Sequence, residues 1–116
     1  MSRPRRGEVW LVNLDPTIGV EIQKTRPAVI IQNDIQNRYS PLTIVLPLTS
    51  AVKRLGPTTV LVHPPEGGLD RPSVILVNHI RAIDQRRLIK RLGRLTPETL
   101  DKVAQALKIS QGLIPL

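Results

Sequence analysis

The 116-residue chain contains no cysteine and no phenylalanine, and only one tryptophan, one tyrosine and two histidines. Lack of cysteine removes disulfides, thiolate nucleophiles and cysteine zinc sites together. His63 and His79 alone are too few for a dedicated transition-metal centre, so no metal and no cofactor is expected. Trp10 and Tyr39 fall short of the several rings on which RRM or cold-shock modules stack bases. No apolar run approaches the roughly 18 residues of a membrane span. The charged start, Met-Ser-Arg-Pro-Arg-Arg-Gly-Glu, has no apolar segment behind it of the kind a secretory signal carries. A cytoplasmic protein without membrane contact is the expectation. Acidic residues are scarce as well, nine against seventeen Lys and Arg, for a net charge of +8. Such an excess favours a polyanionic partner, nucleic acid before membrane, because no basic amphipathic helix dominates.

What is present reads as one domain, residues 1–116, mainly β with a C-terminal helix. Residues 7–14 alternate as a first strand, with Trp10, Val12 and Leu14 on one face. Asp15-Pro16-Thr17-Ile18-Gly19 is turn chemistry. A loop bearing Glu21, Lys24 and Arg26 then runs into Pro27 and the uncharged, β-branched run 28–31, which predicts a buried strand beginning at Pro27. Proline also holds Arg26 in an extended conformation. Residues 33–41 read as a polar connection of backbone-bonded turns. Residues 42–48 predict another buried strand, with Pro47 marking a bulge or strand end. Thr49 and Ser50 leave it for a loop containing Lys53 and Arg54. Residues 58–62 form a short strand, and residues 73–84 the longest one, carrying Asn78, His79 and Arg81. Residues 85–94 fit a helical turn followed by a short strand. Thr96 as N-cap, Pro97 at N1 and Glu98 in the first turn open a helix whose buried face is Leu100, Val103, Ala104 and Leu107. The apolar tail, residues 109–116, is expected to dock. These elements predict a small antiparallel barrel or curled sheet with a helix on it.

No phosphate-binding glycine loop, zinc-protease helix, nucleophile elbow or dinucleotide fingerprint is present. The chemistry-bearing residues are polar groups at loop starts: Glu21, Lys24, Arg26, Thr49, Ser50, Lys53, Arg54, Asn78, His79 and Arg81. Each has an ordinary structural reading. Thr49 and Ser50 suit a turn ending a strand, and the arginines from Arg81 to Arg94 suit either a solvated face or phosphate contact.

In order along the chain, Arg6-Gly7-Glu8-Val9-Trp10, Asp15-Pro16, Gly19-Val20-Glu21, Arg26-Pro27-Ala28-Val29-Ile30-Ile31-Gln32-Asn33-Asp34 and Pro47-Leu48-Thr49-Ser50 form a pattern. With Ser73-Val74-Ile75-Leu76, His79-Ile80-Arg81-Ala82-Ile83-Asp84 and Arg87-Leu88, it resembles the MazF/PemK family of toxin endoribonucleases over nearly the whole chain. The resemblance implies an SH3-like, CcdB-like barrel and a homodimer. It implies metal-independent cleavage of single-stranded RNA, chiefly mRNA, at short sequences, leaving a 2′,3′-cyclic phosphate and a 5′-hydroxyl. It further implies silencing by a MazE-like antitoxin whose acidic, disordered tail fills the RNA groove. The family's catalytic arginine and hydroxyl fall on Arg26 and Thr49, and Glu21 matches an acidic position beside them. Lys24, Asn33, Ser50, Lys53, Arg54, Asn78, His79 and Arg81 make up the RNA-binding set. Where relatives often carry Gln, and sometimes Glu, this chain has His79 and Asn78, so the sequence it cleaves is open.

The residue types suit that chemistry. Metal-free RNA cleavage uses the substrate's 2′-hydroxyl as nucleophile, so the protein supplies stabilisation of a pentacoordinate phosphate. A guanidinium forks onto two phosphate oxygens, which favours arginine over lysine at position 26. Its high pKa makes Arg26 an electrostatic stabiliser before a proton donor. Glu21, then His79, is the candidate base. A CcdB-like gyrase poison on the same fold is the alternative, although Gly112-Leu113-Ile114-Pro115-Leu116 lacks the tryptophan such poisons use at the C-terminus. A non-catalytic RNA-binding module is the other.

Overall fold

The apolar run 28–31 has no polar face, and the reason lies in the two clusters it separates. Ala28 and Ile30 pack with Trp10, Val12, Leu14, Val45, Ile83 and Leu88 on one side of the sheet. Val29 and Ile31 pack with Val9, Leu46, Leu48, Ile75 and the helix residues Val103 and Ala106 on the other. A strand covered on both faces reads as a continuous apolar run. Full burial of each Val or Ile contributes roughly 1.5–3 kcal/mol.

The computed structural model describes residues 3–16, 18–19, 24–51 and 55–116. Among these residues seven strands are formed: β1 (Glu8–Asn13), β2 (Thr25–Ile30), β3 (Leu42–Thr49), β4 (Thr59–Val62), β5 (Ser73–Leu76), β6 (Arg81–Asp84) and β7 (Leu88–Arg94). Two α-helices, α1 (Asp34–Tyr39) and α2 (Pro97–Ser110), accompany them. The order across the antiparallel sheet is β4-β5-β3-β2-β1-β7, with β6 pairing β3 beside that path. The sheet curls around the Trp10 cluster and carries α2 on its other side, the expected curled sheet with a helix, although β4 and β7 do not join to close a barrel.

The prolines follow the ladder. Pro27 is the third residue of β2 rather than its first. Ile30 O accepts from Gly7 N on the β1 side, while Ile31 N donates to Ile44 O on the β3 side. By alternation Pro27 points toward β3, one step beyond the last β2–β3 pair, Ala28↔Pro47, so its missing N–H costs no bond. Pro47 sits inside β3, where the strand changes partner from β6 (last pair Val45↔Arg81) to β5 (first pair Leu48↔Ile75).

Three further sequence expectations are corrected. Residues 34–39 form α1, capped by the Asn33 side chain, which accepts from Gln36 N at 2.9 Å. Asn37 on this helix is buried, joined to Gln32 and Thr43 through side-chain hydrogen bonds of 3.0 and 2.7 Å. The single strand expected over residues 73–84 is two, β5 and β6, separated by a 3-10 turn, Val77–His79, because they pair with opposite ends of β3. The C-terminal tail does not dock within the chain: Leu113 is 74% and Leu116 91% exposed.

The segment 85–94 does form a 3-10 turn and then β7, as one reading of the sequence had it. Helix α2 begins as expected, with Thr96 Oγ1 accepting from Thr99 N and Pro97 in the first turn. Its buried residues are Thr99, Val103 and Ala106, with Leu100 and Leu107 packed beside them, so the face turns slightly from the expected one. A third 3-10 turn, Glu66–Gly68, braces this start: Glu66 Oε2 accepts from Thr96 N at 2.9 Å and from Thr96 Oγ1 at 3.1 Å. Burial alone would raise the Glu66 pKa, but these bonds, one from Thr99 and the nearby Lys102 charge lower it overall.

Candidate active site

The strand ends at one mouth of the Trp10 cluster gather most of the candidate residues. Arg26 pairs with Val12 across β1–β2 and shares the Val12, Ala28 and Ile30 face, so its half-buried side chain borders that cluster. Continuing the β2–β3 register two residues past Ala28↔Pro47 sets Arg26 opposite Thr49. Directly opposed residues in an antiparallel pair project to the same face. Thr49 Oγ1 accepts from Ala51 N at 3.1 Å, which holds the hydroxyl at the turn leaving β3, and exposed Ser50 follows.

Arg81 belongs to this end as well. It starts β6 opposite Val45, and its Nη1 donates to Leu14 O at 3.2 Å. Leu14 N in turn donates to Lys24 O, and Lys24 N donates to Asp15 Oδ1 at 2.8 Å. Lys24 has φ 73, a left-handed conformation that costs a non-glycine residue of order 1 kcal/mol and turns the chain into β2. Asn78, exposed, and His79, half-buried, lie in the turn that feeds directly into Arg81, rather than in a strand. Lys24, Arg26, Thr49, Ser50 and Arg81, with the Asn78–His79 turn, are therefore held by strand ends and turns around one region.

Asn33 is not brought there. It lies past the far end of β2, about 23 Å along an extended chain from Arg26, and its side chain caps α1 while Nδ2 donates to Gln36 Oε1 at 2.7 Å. Glu21, Lys53 and Arg54 lie outside the described residues.

A polar cavity of about 590 Å³ opens beside this region, lined by Asn13, Thr25, Asp84, Arg86 and Arg87 among others. Most of the nearby arginines that the sequence left between solvent and phosphate are tied into the fold. Arg86 chelates Asp84 through Nε and Nη2, each at 3.0 Å. These bonds and the Arg86 backbone N–H hold the Asp84 pKa down at about 2. Arg87 donates to the backbone carbonyls of Asn13 and Asp15, anchoring the start of the loop that leads to Arg26.

One residue of the family pattern has a structural role that the sequence did not show. Glu8, 4% exposed, accepts from Arg5 N at 2.8 Å and Trp10 Nε1 at 3.0 Å through Oε1, and from Arg91 Nη1 at 3.0 Å through Oε2. Burial opposes ionisation, yet these donors and the Arg91 charge together lower its pKa. It fastens β7 to β1 at the end of β1 away from Arg26.

The whole architecture has close counterparts. A family model described as PemK-like, MazF-like toxin of type II toxin–antitoxin system matches residues 5–110. Endoribonuclease EndoA of Bacillus subtilis is 42% identical over 111 residues, covering 95% of this chain and 96% of that protein. Among solved structures, MazF from Deinococcus radiodurans superposes with a TM-score of 0.86 at 26% identity, covering 97% of this chain and 99% of that one. A mycobacterial endoribonuclease in complex with its cognate antitoxin gives 0.80 at 26% identity, with the same coverage of both chains. The chain belongs to the PemK-like, MazF-like family of toxins of type II toxin–antitoxin systems.

Proposed function

We propose that this chain is an endoribonuclease toxin that cuts single-stranded RNA without a metal ion, using the substrate's own 2′-hydroxyl as nucleophile. The observation that carries the reading is the β2–β3 register, whose continuation sets Arg26 opposite Thr49 at the mouth of the inner cluster, in a family whose Bacillus member is an endoribonuclease. Attack of the 2′-oxygen on the adjacent phosphorus and departure of the 5′-oxygen leave a 2′,3′-cyclic phosphate and a 5′-hydroxyl. Negative charge grows on the equatorial oxygens as the phosphate becomes pentacoordinate. A fixed guanidinium facing those oxygens stabilises that charge without reorganising, the type of term that contributes roughly 3–4 kcal/mol when one donor is removed. Half-burial of Arg26 strengthens the effect by excluding part of the solvent.

Thr49 uses its hydroxyl oxygen as acceptor toward Ala51 N, leaving the O–H to donate to the same phosphate. Glu21 is the first candidate to take the 2′-proton and His79 the second. Lys24, Ser50, Lys53, Arg54 and Arg81 would hold flanking phosphates, while Asn78 and His79 face the bases and set the cleaved sequence. Asn33 contributes by capping α1. A homodimer in the cytoplasm, silenced by an antitoxin whose acidic, disordered tail follows the basic groove, completes the reading. Such a tail folds on binding and gains affinity from charge and burial together.

The test is cleavage of single-stranded RNA in EDTA with end-group analysis. Cyclic-phosphate and 5′-hydroxyl ends, and resistance of an RNA carrying one 2′-deoxynucleotide at the cut, are the expected results. A requirement for Mg²⁺, or cutting at the deoxynucleotide, contradicts the mechanism. Intact RNA alongside inhibited supercoiling in a gyrase assay would point to the gyrase-poison reading.

A further inference from the structure

Away from the Arg26 mouth, the chain's only tyrosine is spent on the surface. Tyr39 ends α1 with 75% of its surface exposed, and the Arg38 guanidinium stands 5.4 Å from its ring centroid. Ile35, one helical turn earlier, is 74% exposed. Together with Arg3 and Arg5 of the N-terminal segment they line a cavity of about 780 Å³. Among the described residues one carboxylate lies on its wall, Asp34, which accepts from Arg6 N at 2.7 Å and Asn37 Nδ2 at 3.4 Å. Three arginines against that one carboxylate leave the described lining net positive.

We propose that this cavity is an auxiliary subsite for single-stranded RNA, in which Tyr39 stacks a base and Arg3, Arg5 and Arg38 contact the neighbouring phosphates. The inference rests on the endoribonuclease reading and extends it to RNA outside the cleaved sequence. An exposed ring beside cations is the combination that grips single strands without reading their sequence. An acidic protein segment needs the cations but gains little from the ring. The ring is held firmly for stacking, because α1 is fixed by the Asn33 cap and by buried Asn37. β2 separates the subsite from the active site by about 17 Å between Arg26 and Ile31. A strand bound at both places would contribute to affinity but not to the chemical step.

Two RNAs with the same cleavage site test this, one short and one extended by about ten nucleotides on either side. Tyr39→Ala is expected to raise KM for the extended RNA about tenfold, the loss of one stacked base, with kcat unchanged. Kinetics on the short RNA should be unaltered, and Tyr39→Phe should behave as wild type. An equal effect on both RNAs, or on neither, overturns the proposal. Should Tyr39→Ala not fold, the Arg3→Gln, Arg5→Gln double variant gives the same readout. If the wild-type protein cuts neither RNA, the endoribonuclease reading fails and fluorescence anisotropy of a labelled oligoribonucleotide decides the subsite. Tyr39-dependent binding then upholds it and Tyr39-independent binding overturns it. Tyr39-dependent binding of polyglutamate, with RNA binding unaffected, assigns the surface to an acidic protein and likewise overturns it.

Discussion

Replacing Glu8 separates its three bonds, because the two carboxylate oxygens have different partners. Oε1 serves Arg5 N and the indole N–H of Trp10, which is 3% exposed, while Oε2 serves Arg91, whose side chain is 58% exposed. Glu8→Ala leaves the indole N–H buried without its acceptor, a cost of about 1–3 kcal/mol. Arg91 regains water, so losing that ion pair adds about 1 kcal/mol or less. The expected total is about 1–4 kcal/mol, which lowers Tm by roughly 10 °C near the middle of that range for a domain of this size. Glu8→Gln keeps an acceptor for Trp10 but turns an amide N–H toward Arg91, so its cost should be nearer 1 kcal/mol. The pH dependence has a definite sign. Because the folded Glu8 pKa is lowered from its ordinary 4.5, its stabilisation is complete above that value and is lost as pH falls through the lower folded one. Wild type should therefore lose stability below about pH 4.5 more steeply than Glu8→Gln. Urea denaturation from pH 7 to pH 3 measures both effects. A Glu8→Ala variant within 0.5 kcal/mol of wild type, or a Glu8→Gln variant equally damaged, would refute the assignment of the buried indole bond.

Other outcomes follow from the same geometry. Gly68→Ala would set a Cβ 1.9 Å from Leu92 O at φ +70, so the turn must leave β7 and a loss above about 3 kcal/mol in denaturation is expected. Thr96→Ala removes the α2 N-cap and the Oγ1 bond to Glu66, while the Thr96 N bond to Glu66 stays, for about 1–2 kcal/mol by the same assay. RNA affinity measured by anisotropy should fall linearly on a log–log plot against salt, and Lys24→Ala should make the slope shallower by about one unit.

Helix α2 was legible because its signals are local: Thr96 caps, Pro97 starts and the apolar residues repeat at helical spacing. The buried character of β2 was legible for the same reason. Helix α1 carried its cap in plain view at Asn33-Asp34, but six residues are too few to show a period, and the polar composition looked like turns. The break between β5 and β6 is not local at all. Residues 73–84 are divided because β3 is long enough to receive two partners, a property of the pairing rather than of the segment. The same holds for the site. Arg26 stood out by its proline and Thr49 by the strand it ends, yet only the β2–β3 register sets one opposite the other. Asn33 was grouped with them by its place in the pattern, while β2 carries it to the opposite end. Glu8 stood in the family pattern, but its role was not legible because its partners Trp10 and Arg91 meet through β1–β7 pairing, including Trp10↔Arg91 itself.

The central claim is that Arg26 stabilises the transition state of metal-free RNA cleavage. Single-turnover cleavage of a single-stranded RNA in EDTA, comparing wild type with Arg26→Ala, measures it directly. The expected result is a rate lower by at least two orders of magnitude with RNA affinity largely retained. Cutting by Arg26→Ala at an unchanged rate would contradict it.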